Sequence, residues 1–156
     1  MRPRKLRMEN VGPFVGTAEV DFDALGDIFL ISGRTGSGKT TIFDAICYAL
    51  YGALPGSRRD HVRRLRSDFA DEGADCSVSL VFSVGEETYR SDRTPPRTRR
   101  KARGEGYIED PETAALYRLD GSGKATAQGG KKSEADERIV ALIGLSLDEF
   151  SKIVLL

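Results

Sequence analysis

The 156-residue chain predicts an α/β domain. Its expected architecture is a mixed sheet around one buried strand and the helix that follows it, flanked by an antiparallel meander and C-terminal helices. Three observations carry that prediction. The run "DIFLISG", Asp27 to Gly33, is short and continuously apolar, as expected of a strand covered on both faces. Thr40 to Leu50 is apolar nearly all round (Ile42, Phe43, Ala45, Ile46, Ala49, Leu50), which predicts a buried helix stopped at Gly52. Elsewhere, short stretches such as "CSVSLVFSV" alternate apolar and polar residues, the period of a strand with one buried face.

Taken in order, "KLRMENV" and "GTAEVDF" read as an antiparallel pair turning at Gly12-Pro13. "GALPGSRRD", after the helix, has the composition of an exposed loop. "CSVSLVFSV" and "EETYRSDRT", separated at Gly85, predict a hairpin. Thr94 to Gly106 carries two prolines and many charges, and reads as a mobile connection or a long hairpin tip. "AALYRLD" is a further strand and "GSGKATAQGGKK" a flexible turn or loop. Ser133 to Ile143 predicts an amphipathic helix closed by Gly144, and Ser146 with Glu149 forms a capping box that opens a last helix. That helix ends in an uncapped apolar run at Leu156, a poor natural end that suggests a fragment of a longer chain.

The chain has 24 basic and 24 acidic residues, so overall charge gives no support to a polyanionic partner. No apolar run approaches the roughly 20 residues that span a bilayer, and no signal core follows the basic N-terminus, so a cytoplasmic, membrane-free protein is expected. Cys47 and Cys76 make neither a disulfide framework nor a metal spacing, and are expected as small buried side chains.

Chemistry concentrates in Gly33-Arg34-Thr35-Gly36-Ser37-Gly38-Lys39-Thr40, which fits G-x-x-x-x-G-K-[ST]. The glycines let several N–H groups converge on a β-phosphate, and the start of the following helix adds its positive end. Lys39 is placed to reach the β- and γ-phosphates, and the Thr40 hydroxyl to ligate Mg²⁺. Thr41 is expected on the α-phosphate. A nucleotide with Mg²⁺ is therefore the expected ligand. "DGSGKAT", Asp120 to Thr126, repeats part of the motif without its first glycine or a following buried helix, and reads as a hairpin turn.

A second candidate surface is "RSDRTPPRTRRKARGEG", with Arg93, Arg97, Arg99, Arg100, Lys101 and Arg103 as candidate contacts to a DNA backbone. The alternative is a solvated tip. Arg58, Arg59, Arg63, Arg64 and Arg66 form another basic loop, facing nucleotide, DNA or the rest of a larger assembly. His61 reads as a solvated loop histidine.

The phosphate loop does not choose between kinases, GTPases and ATP-driven machines; its flanks do. "LRMENVGPFVGTAEVDF", "ISGRTGSGKTTIFDAICYALYG", "RSDFA", "YRSDRTP" and "GLSLDEFSKIVLL", in that order, resemble the N-terminal segment of the SbcC-type subunits of bacterial DNA-repair exonucleases, which are SMC-like ATPases. The resemblance implies a P-loop NTPase fold of the ABC/SMC type, and that the nucleotide bound with Mg²⁺ is ATP. Residues 1–156 would be the N-terminal lobe of the ATPase head, cut before the Q-loop and the coiled coil. It implies that the lobe pairs with the C-terminal half of the same head, where the signature and catalytic acids lie, and through ATP with a second such head. An SbcD-type nuclease and double-stranded DNA are the other implied partners, with nucleoid association. It places Gly12 and Pro13 against the nucleotide and leaves no catalytic residue in this segment. Two rivals remain: a RecF- or RecN-type repair ATPase head, and a non-catalytic nucleotide-dependent interaction module.

Overall fold

A computed structural model describes residues 1–26, 28–101 and 103–154, with side chains placed up to residue 153. The expected first pair forms as β1 (Arg2–Val11) and β2 (Phe14–Asp21), antiparallel and joined through the Gly12-Pro13 turn. The hairpin at Gly85 is β3 (Ser77–Val84) and β4 (Glu87–Thr94), and Gly85 takes a left-handed φ of 58° at its turn. With β7 (Thr113–Leu119) and a short β8 (Ala125–Ala127) they make a six-stranded sheet of order β2-β1-β3-β4-β7-β8.

Alternation decides which face is covered. Leu6 and Met8 of β1, Val78, Leu80 and Phe82 of β3, and Leu116 of β7 point to one face and are buried. Against that face pack α1 (Lys39–Tyr51) and α2 (Lys132–Ile143), and α3 (Leu147–Val154) lies against α1. Gly52 and Gly144 close α1 and α2 with φ of 66° and 72°, the left-handed stop that glycine accepts without strain. The capping box opens α3 as expected. The Ser146 backbone N–H donates to Glu149 Oε2 at 2.8 Å, and the Glu149 N–H donates to Ser146 Oγ at 3.3 Å.

Two expectations fail. The strand over Asp27–Gly33 is absent: Asp27 lies outside the described residues, and the segment from Ile28 to Gly33 joins no strand. Ile28 is 95% exposed and Leu30 88%, and Phe29 rests on the Phe22 ring with centroids 5.7 Å apart. A doubly covered strand needs neighbours on both edges and a layer on each face, and among the described residues no strand pairs with the run. Consequently the sheet is not mixed. Every pairing among the described strands is antiparallel, and the glycine loop enters α1 from an irregular segment rather than from the sheet.

The segment from Thr94 to Gly106 resolves in favour of the hairpin. Here β5 (Arg97–Arg100) pairs antiparallel with β6 (Tyr107–Asp110) as a separate two-stranded ribbon. "GALPGSRRD" is less exposed than its composition suggests, since Leu54 and Pro55 are buried.

Candidate functional site: a glycine loop at the uncapped end of α1

Gly38 is the residue before α1, with φ of 93°, and a Cβ there would lie 2.6 Å from the Phe14 ring and 2.9 Å from Pro13. Only a glycine lets the loop sit this close to the Gly12–Phe14 turn. Gly12 obeys the same logic from the other side: its φ is 54°, and a Cβ would meet the Thr41 side chain at 2.7 Å. The turn is itself held open by Asn10. That residue lies at the irregularity in β1, with φ of 50°; its amide donates to the Asp75 carbonyl at 2.6 Å, and its Oδ1 accepts from the Gly16 N–H at 2.8 Å. The structure thus brings Gly12 and Pro13 against the motif, although 20 residues or more separate them in sequence.

Within the loop, Ser37 N–H donates to the Arg34 carbonyl at 3.1 Å, and a Cβ on Gly33 would sit 2.7 Å from Ser37 Oγ. Lys39 Nζ donates to the Gly33 and Arg34 carbonyls at 2.6 and 2.9 Å, so its ammonium is folded back over the loop. Thr40 is exposed. The first turn of α1 has no side-chain cap and no acidic residue. Helix-terminal N–H groups normally find a cap or bind an anion. An uncapped N-terminus, a glycine loop and a lysine on exchangeable carbonyls fit a phosphate group.

Beside Thr41 opens a cavity of about 170 Å³ lined by Gly12, Thr41, Asp44, Arg58, His61 and Arg64, among others. Asp44 is buried and ion-paired to Arg58, while its other oxygen has no hydrogen-bond partner among the described residues. Burial pushes the Asp44 carboxyl above its ordinary range, with Arg58 working against the shift. In the sequence this acid is one polar residue in an apolar helix, and no local signal pairs it with Arg58. His61 is exposed, as expected. Cys47 and Cys76 are free and buried, and burial pushes both thiols up to about 12.

The arginine-rich run does not form one basic surface. Arg93 must be removed from the expected DNA-contacting set: it lies on the covered face of β4, 1% exposed. The alternation that buries Tyr89 and Ser91 also turns Arg93 inward, and that period-two signal was present in the sequence. On the ribbon, Arg97 pairs with Asp75 at 2.9 Å and with Asp110 at 3.1 Å, and Arg99 pairs with Asp110 at 2.6 Å. Arg63 ties the ribbon back to the basic loop through Glu109 at 2.7 Å. Arg100, with its side chain 74% exposed, and the exposed Lys101 and Arg103 lie towards the ribbon tip.

These pairs give a pH expectation. Hydrogen bonds from Arg99 and then Arg97 hold the Asp110 carboxyl below its ordinary 3.8, and hydrogen bonds from Arg63 and then Thr98 hold Glu109 below its ordinary 4.5. A depressed carboxyl contributes its stability above the unfolded pKa and loses it as pH falls through the folded one. The ribbon pairs should therefore survive acidification to the ordinary carboxyl range and open only beneath it. An NMR titration of the Asp110 carboxyl carbon with a midpoint at or above 3.8 would show that the pairs do not form in solution.

The partial repeat at Asp120 is a turn, as expected. Asp120 Oδ1 accepts from the Ser122 and Lys124 N–H groups, both at 2.9 Å, between β7 and β8. Among the described residues no helix is long and apolar enough to cross a membrane.

The α/β fold, with its glycine loop at the start of α1, belongs to a known class: residues 5–156 match the family model described as "AAA domain", and the chain belongs to that family. It is similar to proteins named as the C subunit of the nuclease SbcCD. One from Treponema pallidum is 44% identical over 156 residues, one from Vibrio cholerae 38% over 158, and one from Lactococcus lactis 39% over 161. All of this chain is covered in each case, but it spans only 14–15% of the length of those relatives.

Proposed function

We propose that this chain is the ATP-binding lobe of an SbcC-type DNA-repair ATPase, whose ATP-driven head pairing controls a partner nuclease during processing of double-strand breaks and hairpin ends. The observation that carries the reading is the uncapped start of α1 inside the glycine loop, with Lys39 held by two loop carbonyls. ATP with Mg²⁺ would supply the transferable γ-phosphoryl group. Gly33, Arg34, Thr35, Gly36, Ser37 and Gly38 would wrap the phosphates with backbone N–H groups. Lys39 would exchange its carbonyl acceptors for β- and γ-phosphate oxygens, Thr40 would ligate the metal, and Thr41 would hold the α-phosphate. Gly12 and Pro13 form a wall beside them, and the cavity lined by Arg58 and Arg64 extends the cationic surroundings. Calorimetric titration with Mg-ATP tests this reading; no heat of binding at millimolar nucleotide would remove it.

The apolar run from Ile28 to Leu30, exposed and in no strand, supports completion of the head by another segment, which we assign to the C-terminal half of the same protein. The relatives' name, a subunit of a nuclease, supports an SbcD-type partner. A second, ATP-bridged head follows from the same reading.

Double-stranded DNA is proposed to meet the ribbon through Arg97, Arg99, Arg100, Lys101 and Arg103. Arg97 and Arg99 are part-buried in their pairs with Asp110, so a polyanion would have to displace that carboxylate to engage them. Arg100, Lys101 and Arg103 are the more open side chains. Replacing those three with alanine should weaken binding of all sequences alike and reduce the salt slope by about 0.9 for each phosphate no longer neutralised. An unchanged slope would leave the ribbon as solvated surface.

A further inference from the structure

We propose that Arg93 is a positioning residue for the phosphate site, fixing the direction of α1 from the end opposite the loop; this rests on the nucleotide reading above. Burial along α1 is confined to Asp44–Leu50, while Lys39 to Phe43 are partly or fully exposed. The helix is therefore anchored by its C-terminal half, and the loop end projects from it. A helix of 13 residues is about 20 Å long, so a tilt of only about 3° moves its far end by about 1 Å.

The anchor is unusually specific for a core contact. Last-turn carbonyls of a helix have no partner within it, and α1 has no basic residue in its own last turn. β4 supplies the partners through the Arg93 guanidinium: Nε donates to the Ala49 carbonyl at 2.9 Å, which also accepts from Ser91 Oγ at 2.6 Å, and Nη2 alone reaches the Leu50 carbonyl, at 3.2 Å. The same group binds Asp136 of α2 and lies 3.7 Å from Glu112, which precedes β7. Lys132 closes the cluster, 3.3 Å from Glu112 and 3.0 Å from Asp136, so two cations face two carboxylates. Gly52 leaves the necessary room, since a Cβ there would lie 2.9 Å from Arg93 Nη1 and 3.0 Å from Glu112 Oε1. An apolar side chain of similar volume fills such a site at comparable stability, but it sets no direction. A rigid planar fork on two successive carbonyls does. The cluster therefore makes the orientation of α1 depend on β4 and α2 together.

Two variants of the whole 156-residue chain test this. Arg93→Lys keeps the charge and removes the fork. Arg93→Met combined with Glu112→Gln and Asp136→Asn removes the buried guanidinium and both carboxylates, leaving only the half-exposed Lys132 ammonium, which solvent reaches. Amide exchange at Ile42 and Phe43, near the free end of α1, is compared with exchange at Leu80 in β3, well below the melting temperature. We expect Ile42 and Phe43 to exchange about tenfold faster relative to Leu80 in both variants, with Mg-ATP affinity falling about tenfold alongside. Unchanged relative exchange, or equal acceleration at Leu80, overturns the proposal, because both are what a merely stabilising contact predicts. Should the triple variant fail to fold, Arg93→Lys decides on the same readout. A parent chain that binds no Mg-ATP removes the nucleotide reading, whereas the exchange ratio still decides whether Arg93 sets the helix. A core control, Ile139→Val, should lower stability without changing that ratio.

Discussion

Lys39→Ala is expected to abolish Mg-ATP binding while leaving the domain folded. In the free chain the ammonium donates to the Gly33 and Arg34 carbonyls of its own loop, outside the core. Removing it therefore strands no buried partner, and stability should change by no more than about 0.5 kcal/mol. Binding is different. A hydrogen bond to a charged group contributes about 1.5–3 kcal/mol, and Lys39 is assigned to two phosphates, so affinity should fall at least about 100-fold. Calorimetry with matched thermal melts separates the two effects. Equal affinity in variant and parent would mean that the glycine loop is not a phosphate site, whatever its sequence.

The second large effect is in turnover. The isolated chain is expected to hydrolyse ATP at background rates. An ATPase needs a group to orient the attacking water and charge to stabilise the transferring phosphoryl group, and these together account for most of the acceleration. The carboxylate next along α1 from Thr40 is Asp44, and it is buried against Arg58 instead of facing the loop. A longer chain supplying the rest of the head should restore turnover of about 1 per second or faster. Turnover of that size by the 156-residue chain alone, abolished by Lys39→Ala, would show that it is a complete enzyme. If the longer chain binds ATP without turnover, the non-catalytic module becomes the better reading.

Features specified by a few adjacent residues were legible in the sequence. Gly52, Gly85 and Gly144 stop helices and turn strands because their left-handed φ is a property of one residue. The Ser146–Glu149 box closes within a single turn of backbone. The turn at Asp120 is likewise local. Local pattern also misled. The apolar run from Ile28 to Leu30 carries a burial signal, but such a signal says nothing about which polypeptide does the covering. The arginine run reads as one charged surface only if the alternation of β4 is ignored. With it, Arg90 turns outward over the Tyr117 ring, 4.7 Å from its centroid, and Arg93 turns into the core.

By itself the sequence determined most of the elements and the glycine pattern of the loop. Glycines at 33, 36 and 38, Lys39 and Thr40 are fixed by spacing, because a phosphate-sized cradle is built from consecutive backbone. The tertiary structure alone decided what surrounds that cradle. The Gly12–Phe14 turn, held by Asn10, reaches it through strand pairing, and Arg58 reaches Asp44 across a connecting loop. Arg93 holds the far end of α1 from a strand 40 residues and more away. Contacts between distant segments depend on the registers and packing of all the elements between them, and no local window of sequence contains that information.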